Sequence, residues 1–439
     1  MPFQLDPTFA QDPAKHFDTL QIHAGLAPDP VTGSAALPIY ASAAFQFDSA
    51  EDGAAKFALE KPGNVYGRLT NTTTDSIAAR VAALEGATGA VAVASGHAAE
   101  ILALTNLVGA GDHIVASDSL YGGTWNIFLH TLGDLGVETT FVENNDIDAF
   151  VAATKENTKL WYVETIGNPL VDVADVPAIV EAANSLKEPV PVYVDNTFAT
   201  PYLYRPADDG AAVVIESLTK WIAGHGATLG GAVIDTGKFD WKKTPGKFPT
   251  LTEPDPSYHG AVFADAAPAA PFSTRVLANK LRDFGPTLSP YAAQLIGLGI
   301  ETLSLRVQRH CDNALAVAKF LESHPKVSWV RYSGLENDPS HEVASRILHN
   351  GFGGVVVFGV KGGRDAGLKV VDNVKLFTHL ANVGDAKSLI IHPASTTHSQ
   401  LTPEQLKAAH LSEDLIRLSI GIENVDDIIA DLDQALANA

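Results

Sequence analysis

The chain has almost no cysteine: Cys311 is the single one among 439 residues. It therefore cannot form an internal disulfide or build a zinc or iron–sulfur site from cysteine ligands. Cys311 lies in the helical-looking stretch LSLRVQRHCDNALAVAKFLESH, where a core or surface thiol is the expected role. The chemistry of this protein is thus not expected to depend on cysteine.

Long apolar runs and positive charge are also scarce. No stretch of about 18 uncharged apolar residues occurs, and the N-terminal MPFQLDPTFAQDPAKHF does not resemble a secretory signal. We therefore predict no membrane-spanning helix and a cytoplasmic location. The 51 acidic residues outnumber the 30 basic ones, giving a formal net charge of −21, which disfavours nucleic acid and membranes as partners.

The length predicts more than one domain. Residues 1–65 look irregular and are predicted to form an N-terminal arm. From 66 to 280, short apolar runs such as VPVYVD and AVVIES alternate with helical stretches, which indicates an α/β fold with a mostly parallel central sheet and helices on both faces. Residues 240–275 are Pro-rich and aperiodic, so they are either functional or held by packing. Residues 281–439 are predicted to form a smaller C-terminal α+β domain.

Polar residues follow several of the predicted strands, where parallel α/β sheets bind ligands. They are Ser95-Gly96-His97, Tyr121, Glu164 with Asn168, Asp195 with Thr197, and Ser217, Thr219 and Lys220. Taken one by one, each has an ordinary structural explanation as a helix cap, a turn residue or a lysine that reaches solvent. It is the combination that indicates a binding site.

The combined set matches the chemical groups of pyridoxal phosphate. A helix starting at Gly96 offers backbone amides to a phosphate, and Ser217 and Thr219 add hydroxyl donors. Tyr121 can cover a flat ring, and a buried carboxylate can keep a pyridine nitrogen protonated. A lysine can bond to an aldehyde. We therefore predict this cofactor, with Lys220 as its Schiff-base lysine.

Longer motifs carry a resemblance that extends along nearly the whole chain. They are HAGLAPDPVTGSAALPIYASAAFQF, VYGRLTNTTTDSIAARVAALEGATGAVAVASGHAAE, SLYGGTWNIF, VETIGNP, VDNTFATPYL, SLTKWIAGHG, SLIIHPASTTHSQL and IRLSIGIEN. With these motifs the chain resembles the Cys/Met-metabolism family of fold-type I pyridoxal-phosphate enzymes, and most of all its O-acetylhomoserine sulfhydrylase branch. The long 240–275 segment looks like the insertion of that branch.

The resemblance implies a role for each matching residue. Lys220 would be the covalent anchor of the cofactor and the proton shuttle. Asp195 would lie at the pyridine nitrogen with Thr197 beside it, Tyr121 would stack on the ring and assist proton transfer, and Asn168 would lie near the phenolic oxygen. The phosphate would be bound by the backbone amides of Gly96 and His97 and by the hydroxyls of Ser217 and Thr219. Arg417 would bind the substrate carboxylate, with Ser388 nearby. Tyr66 and Arg68 would reach the phosphate of a neighbouring subunit, in a homotetramer built from dimers that share active sites.

The implied reaction is a γ-replacement. Sulfide or methanethiol would replace the acetate of O-acetyl-L-homoserine, giving L-homocysteine or L-methionine. The alternatives within the family are an O-succinylhomoserine sulfhydrylase, a cystathionine γ-synthase or a γ-lyase. Gly123 argues against methionine γ-lyase, which usually carries cysteine there, while Asn71-Thr72-Thr73 departs from the usual Asn-Pro-Thr and predicts a local backbone change.

Three further interpretations carry less weight. His225, His392 and His398 have no metal-ligand spacing, so no metal is predicted. The Gly-rich GFGGVVVFGVKGG does not place GxGxxG between a strand and a helix, which disfavours a nicotinamide dehydrogenase. A non-catalytic scaffold is disfavoured because Lys220, Asp195, Tyr121 and Arg417 are all present.

Overall fold

The structure is a computed structural model that describes residues 15–26, 28–29, 31–58, 60–396 and 411–439. Its strands are β1 Gly89–Val93, β2 His113–Ser117, β3 Glu138–Val142, β4 Thr158–Glu164, β5 Val192–Asp195, β6 Val213–Glu216, β7 Gly231–Asp235, β8 Val327–Arg331, β9 Val355–Val360, β10 Thr378–His379, β11 Leu389–Ile391 and β12 Leu415–Ser419.

The α-helices lie between and around these strands. They are α1 Phe17–His23, α2 Ala50–Phe57, α3 Thr72–Glu85, α4 Gly96–Thr105, α5 Gly122–Asn126, α6 Leu132–Asp134, α7 Ile147–Ala153, α8 Val176–Ser185, α9 Thr200–Leu203, α10 Pro249–Thr252, α11 Phe263–Ala266, α12 Pro271–Arg275, α13 Arg282–Phe284, α14 Pro290–Ile300, α15 Leu303–Ser323, α16 His341–Ile347, α17 Gly363–Asn373 and α18 Val425–Ala437. Single π-helical segments, Ile127–Thr131 and Val276–Leu281, join α5 to α6 and α12 to α13.

The large sheet has the strand order β1-β7-β6-β5-β4-β2-β3. β7 pairs antiparallel with both of its neighbours, and the other strands run parallel to one another. Strands such as β6, which reads VVIE, are buried along their whole length because helices cover both faces of the sheet. All strands except β7 therefore direct their carboxyl ends to one edge.

The second sheet, in the order β10-β11-β12-β9-β8, is formed by the C-terminal part of the chain. It packs against α15, α17 and α18 around its own apolar core. The helical region over residues 288–324 consists of two helices, α14 and α15, which are separated at Glu301 and Thr302. The boundary at residue 280 and the arm over residues 1–65 remain predictions.

The Pro-rich segment 240–275 is held by packing. It forms short helices, and the rings of Trp241, Phe248 and Phe272 are buried against the large sheet. Trp241 stacks on Phe272 with ring centroids 5.4 Å apart, and Phe272 meets Tyr193 of β5 edge to face at 5.6 Å. Of the two roles left open for this segment, the packing role has direct structural support.

No helix within the described ranges is long and apolar enough to cross a membrane.

Candidate active site

A cavity of about 220 Å³ lies at the carboxyl edge of the large sheet. It is lined by Ser95, Gly96, His97, Glu100, Tyr121, Thr124, Glu164, Ile166, Asn168, Asp195, Thr197, Phe198, Ser217, Thr219, Lys220, Leu229, Ala381, Asn382, Val383 and Arg417. The predicted strand-end residues thus meet in one place, as the topology of the sheet requires. Arg417 and the 381–383 segment reach the cavity from the second sheet.

Helix α4 begins at the cavity wall in very close contact with the end of β6. Ser95 caps the helix by accepting a hydrogen bond from the Ala98 N–H. A Cβ added to Gly96 would lie 2.7 Å from the Ser217 Cβ and 2.9 Å from its Oγ, so no side chain fits there. The first helical amides and the Ser217 hydroxyl therefore form a cradle of hydrogen-bond donors of the kind that binds a phosphate.

A second close approach brings Tyr121 and His97 together. Their rings meet edge to face with centroids 5.5 Å apart. A Cβ on Gly123 would lie 2.4 Å from the Tyr121 ring and 2.5 Å from the His97 Nε2. Glycine at position 123 is thus what lets both rings occupy the cavity wall.

Asp195 is a partly buried carboxylate with few partners. Its Oδ1 accepts a hydrogen bond from the Thr197 N–H at 2.9 Å, and the Thr197 hydroxyl accepts one from the Ser217 N–H at 2.8 Å. Burial raises the pKa of Asp195, and no lysine or arginine of the described chain forms an ion pair with it. A protonated ring nitrogen is the kind of partner that such a carboxylate needs.

Two further carboxyls share this wall: Glu164, which was predicted at a strand end, and Glu100, which was not predicted. Glu164 pairs with Asp195 in the β4–β5 register, and its Oε1 accepts a hydrogen bond from the Tyr121 N–H at 2.6 Å, which fixes the Tyr121 backbone. Glu100 is buried on α4, and burial together with the nearby Asp195 raises its pKa to about 8. An acidic residue inside the apolar helix AAEILAL is the signal that the sequence interpretation missed.

Lys220 projects into the cavity and donates a hydrogen bond from Nζ to the Asn382 Oδ1 at 2.7 Å. Burial, and after it the charge of Arg417, lowers its pKa to about 8, while Asp385 opposes this shift. Arg417 is itself buried and donates to the Asn168 Oδ1 at 2.9 Å. One end of the cavity thus combines an amine that can lose its proton near neutral pH with a guanidinium that can bind a carboxylate.

Other predicted residues lie apart from the cavity or have their polar groups engaged. Ser388 is buried outside it, where its hydroxyl donates to Glu423 and accepts from the Gly421 N–H. The Thr219 hydroxyl lines the cavity but exchanges hydrogen bonds with the backbone of Gly230, at 3.1 and 3.0 Å. The Ser388 hydroxyl is thus engaged by Glu423 and Gly421.

Tyr66 and Arg68 also lie outside the cavity, with the Arg68 guanidinium 5.2 Å above the Tyr66 ring. His225 and His392 contact backbone and hydroxyl groups, and His398 lies outside the described residues. In the described part of the chain, no group of three or more His, Cys, Asp or Glu residues could hold a metal ion.

Comparison with known proteins agrees with this geometry. The model of the family described as Cys/Met metabolism PLP-dependent enzyme matches residues 18–437. The homocysteine synthase of Schizosaccharomyces pombe is 50% identical over 96% of this chain and 98% of its own, and the O-acetyl-L-homoserine sulfhydrylase of Leptospira meyeri is 47% identical over 96% of each chain. A crystal structure of an O-acetylhomoserine (thiol)-lyase from Campylobacter jejuni, with N'-pyridoxyl-lysine-5'-monophosphate, superposes with a TM-score of 0.92 at 39% identity, covering 96% of this chain and 100% of that one.

The chain belongs to the Cys/Met-metabolism family of pyridoxal-phosphate-dependent enzymes. The predictions of a fold-type I architecture, an enzyme and this cofactor are confirmed. The site fits the cofactor on its own evidence. The narrow donor cradle at Gly96, the carboxylate of Asp195, which has no ion-pair partner in the described structure, and the amine of Lys220 match its phosphate, ring nitrogen and aldehyde.

Proposed function

We propose that this protein exchanges the acetate of O-acetyl-L-homoserine for sulfide or methanethiol, producing L-homocysteine or L-methionine. The observation that carries the proposal is the grouping of Lys220, Asp195, Tyr121 and Arg417 around one cavity. Relatives that share about half of its residues along nearly the whole chain are called homocysteine synthase and O-acetyl-L-homoserine sulfhydrylase, which favours this reaction within the family.

Arg417 binds and orients the substrate in this proposal. Its planar guanidinium suits a bidentate contact with the α-carboxylate, and burial strengthens that contact because water competes less. The Asn168 Oδ1 accepts a hydrogen bond from its Nη1 and so fixes the plane of the guanidinium. The substrate amino group is then directed towards the part of the cavity that contains Lys220.

Lys220 moves protons. Pyridoxal phosphate, when bound, supplies an aldehyde that bonds to amines and a ring that takes up the electron pair left behind when a proton leaves the substrate. With its pKa lowered to about 8, a substantial fraction of the Lys220 amine is neutral near pH 7.5 to 8 and can take the α-proton. Asp195 stabilises positive charge on a nitrogen facing it, and Tyr121 covers the ring and assists proton transfer.

The decisive experiment compares substrates. The purified protein should convert O-acetyl-L-homoserine with sulfide faster than O-succinyl-L-homoserine with sulfide, and faster than either ester with cysteine. Borohydride should fix the cofactor on the peptide that contains Lys220, and Lys220→Ala should lose both fixation and turnover. Lys319→Ala, at an exposed helix position, is the matched control.

Other outcomes would redirect the proposal. Preference for the succinyl ester or for cysteine would make the protein an O-succinylhomoserine sulfhydrylase or a cystathionine γ-synthase. Release of ammonia without a sulfur nucleophile would make it a γ-lyase. Failure to bind the cofactor at Lys220 would refute the assigned site.

The proposal includes a cytoplasmic homotetramer whose dimers share active sites. It is supported by the position of Tyr66 and Arg68 outside the cavity of their own chain, and by exposed apolar side chains on α14 and α15, namely Tyr291, Leu295, Leu298 and Leu305. Sedimentation measures the assembly. Restored activity on mixing Lys220→Ala with Arg68→Ala chains would indicate sites shared between subunits.

A further inference from the structure

A loop of the second sheet provides the hydrogen-bond acceptor for the reactive amine. Residues 380–388 connect β10 to β11, and Asn382 of this loop contacts both Lys220 and Arg417. Its side-chain Oδ1 accepts from the Lys220 Nζ at 2.7 Å, and its backbone oxygen accepts from the Arg417 Nη2 at 3.4 Å.

The orientation of the Asn382 amide is set by Asp385. The Asn382 Nδ2 donates to the Asp385 Oδ2 at 3.3 Å, so that the amide oxygen is the atom facing Lys220. Asp385 is buried, and its Oδ1 has no hydrogen-bond partner within the described structure. A Cβ at Gly226 would lie 2.5 Å from that oxygen, so glycine at position 226 is what leaves room for the carboxylate.

The loop is fastened to the turn that follows Lys220. The Ala386 N–H donates to the Gly224 carbonyl at 2.9 Å, and the Gly384 N–H donates to the Ser419 Oγ at 2.9 Å. A Cβ on Gly384 would lie 2.5 Å from the Trp221 backbone nitrogen. Acceptor and amine are therefore held in a fixed spatial relation by backbone contacts, as a pre-organised site requires.

From this geometry we infer that Asn382 is a positioning residue for the amine of Lys220, and that Asp385 acts through it by holding the amide oxygen towards that amine. The inference rests on the proposed function, in which Lys220 moves protons while its amine is free. Asn382 then keeps Nζ at one defined place between successive proton transfers. Neither residue exchanges a proton in this role.

The electrostatic surroundings of Lys220 allow the inference to be tested by titration. The charged and titratable groups that face it are Arg417 on β12, Asp385 on the loop, His97 and Glu100 on α4, Tyr121 beside them, and Glu164 and Asp195 at the ends of β4 and β5. An acceptor that is hydrogen-bonded to an ammonium group favours the charged form. Removing the Asn382 oxygen should therefore lower the pKa of Lys220 further.

The experiment measures the reactivity of Lys220 in the full-length chain after the cofactor has been removed. An amine-specific reagent is applied across a pH series, and the label on the Lys220 peptide is quantified by mass spectrometry. Asn382→Ala should shift the apparent pKa down by about one unit. Asp385→Asn should shift it down less, and Asn337→Ala, at an exposed position of the second domain, should leave it unchanged.

The double variant tests whether Asp385 acts through Asn382. In the Asn382→Ala background, Asp385→Asn should add less than its shift alone, because the amide that it orients is already gone. In the reloaded enzyme, Asn382→Ala should lower kcat about tenfold and change KM less, since the backbone contact to Arg417 survives.

An unchanged titration of Lys220 in Asn382→Ala overturns the inference, and fully additive shifts overturn the role given to Asp385. The isosteric Asp385→Asn remains informative if Asn382→Ala does not fold. Borohydride fixation of the cofactor on Lys220 in the parent protein tests the proposed function separately. Its failure would refute that function, whereas intact fixation with an unchanged titration would refute the positioning role alone.

Discussion

Replacing Gly96 with alanine should weaken cofactor binding and leave the fold intact. Gly96 is the first residue of α4 and does not adopt a positive φ, so alanine suits its backbone and favours the helix. The added Cβ, however, would lie 2.7 Å from the Ser217 Cβ and 3.2 Å from its Cα. Since backbone is involved, Ser217 cannot simply rotate away, and the donor cradle must open.

The size of the effect follows from the donors that are displaced. One hydrogen bond to a charged group contributes about 1.5–3 kcal/mol, and 1.4 kcal/mol corresponds to a tenfold change in affinity. We therefore expect the apparent Kd for pyridoxal phosphate to rise roughly 10- to 100-fold. The assay titrates the cofactor into the cofactor-free full-length chain and follows its absorbance.

Gly133→Ala is the matched control, because a Cβ at Gly133 meets nothing within 4 Å and its φ is not positive. Thermal unfolding of both cofactor-free variants should match that of the parent chain to within a few degrees. If Gly96→Ala binds the cofactor as tightly as Gly133→Ala, the phosphate does not occupy this cradle, and the site must be reconsidered.

Three further results are expected. Gly123→Ala should displace the Tyr121 ring, because the new Cβ would lie 2.4 Å from it, and so change the visible spectrum of the bound cofactor; an identical spectrum and kcat would contradict the stacking role. Phe272→Ala should lower the free energy of unfolding in urea by about 3–5 kcal/mol, because the ring is fully buried, whereas the exposed Phe57→Ala should cost little. The rate at which the cofactor-free chain captures pyridoxal phosphate should rise with pH with a midpoint near 8, since only the neutral Lys220 amine attacks an aldehyde; a midpoint near the ordinary lysine pKa, about 10.4, would show that burial does not act on it.

The strand-end residues were predictable because parallel strands end at the same edge of a sheet. Once the apolar runs ending at Glu164, Asp195 and Ser217 are recognised as neighbouring strands, their following residues must converge. The order of the strands was not needed for this inference. It also did not matter that β7 runs against the others, because no predicted site residue follows it.

Asn382 was missed because no local signal in the sequence places it at the cavity. Asn382 lies in a loop of the second sheet, far from Lys220 in sequence, and only the packing of the two sheets brings them together. Ser388, in contrast, lies outside the cavity, where it donates hydrogen bonds to Glu423. The π-helical segment Ile127–Thr131, which joins α5 to α6, is likewise not visible in residue spacing.

Two hydrogen bonds cross from one sheet to the other at this site, Arg417 to Asn168 and Lys220 to Asn382. In the proposed function, the first holds the arginine that binds the substrate, and the second holds the amine that moves protons. Because both hydrogen bonds join the same two sheets, a shift of one sheet against the other would weaken both of them. A small molecule that binds between the two sheets at this place would therefore impair substrate binding and proton transfer together, although it need not resemble either substrate.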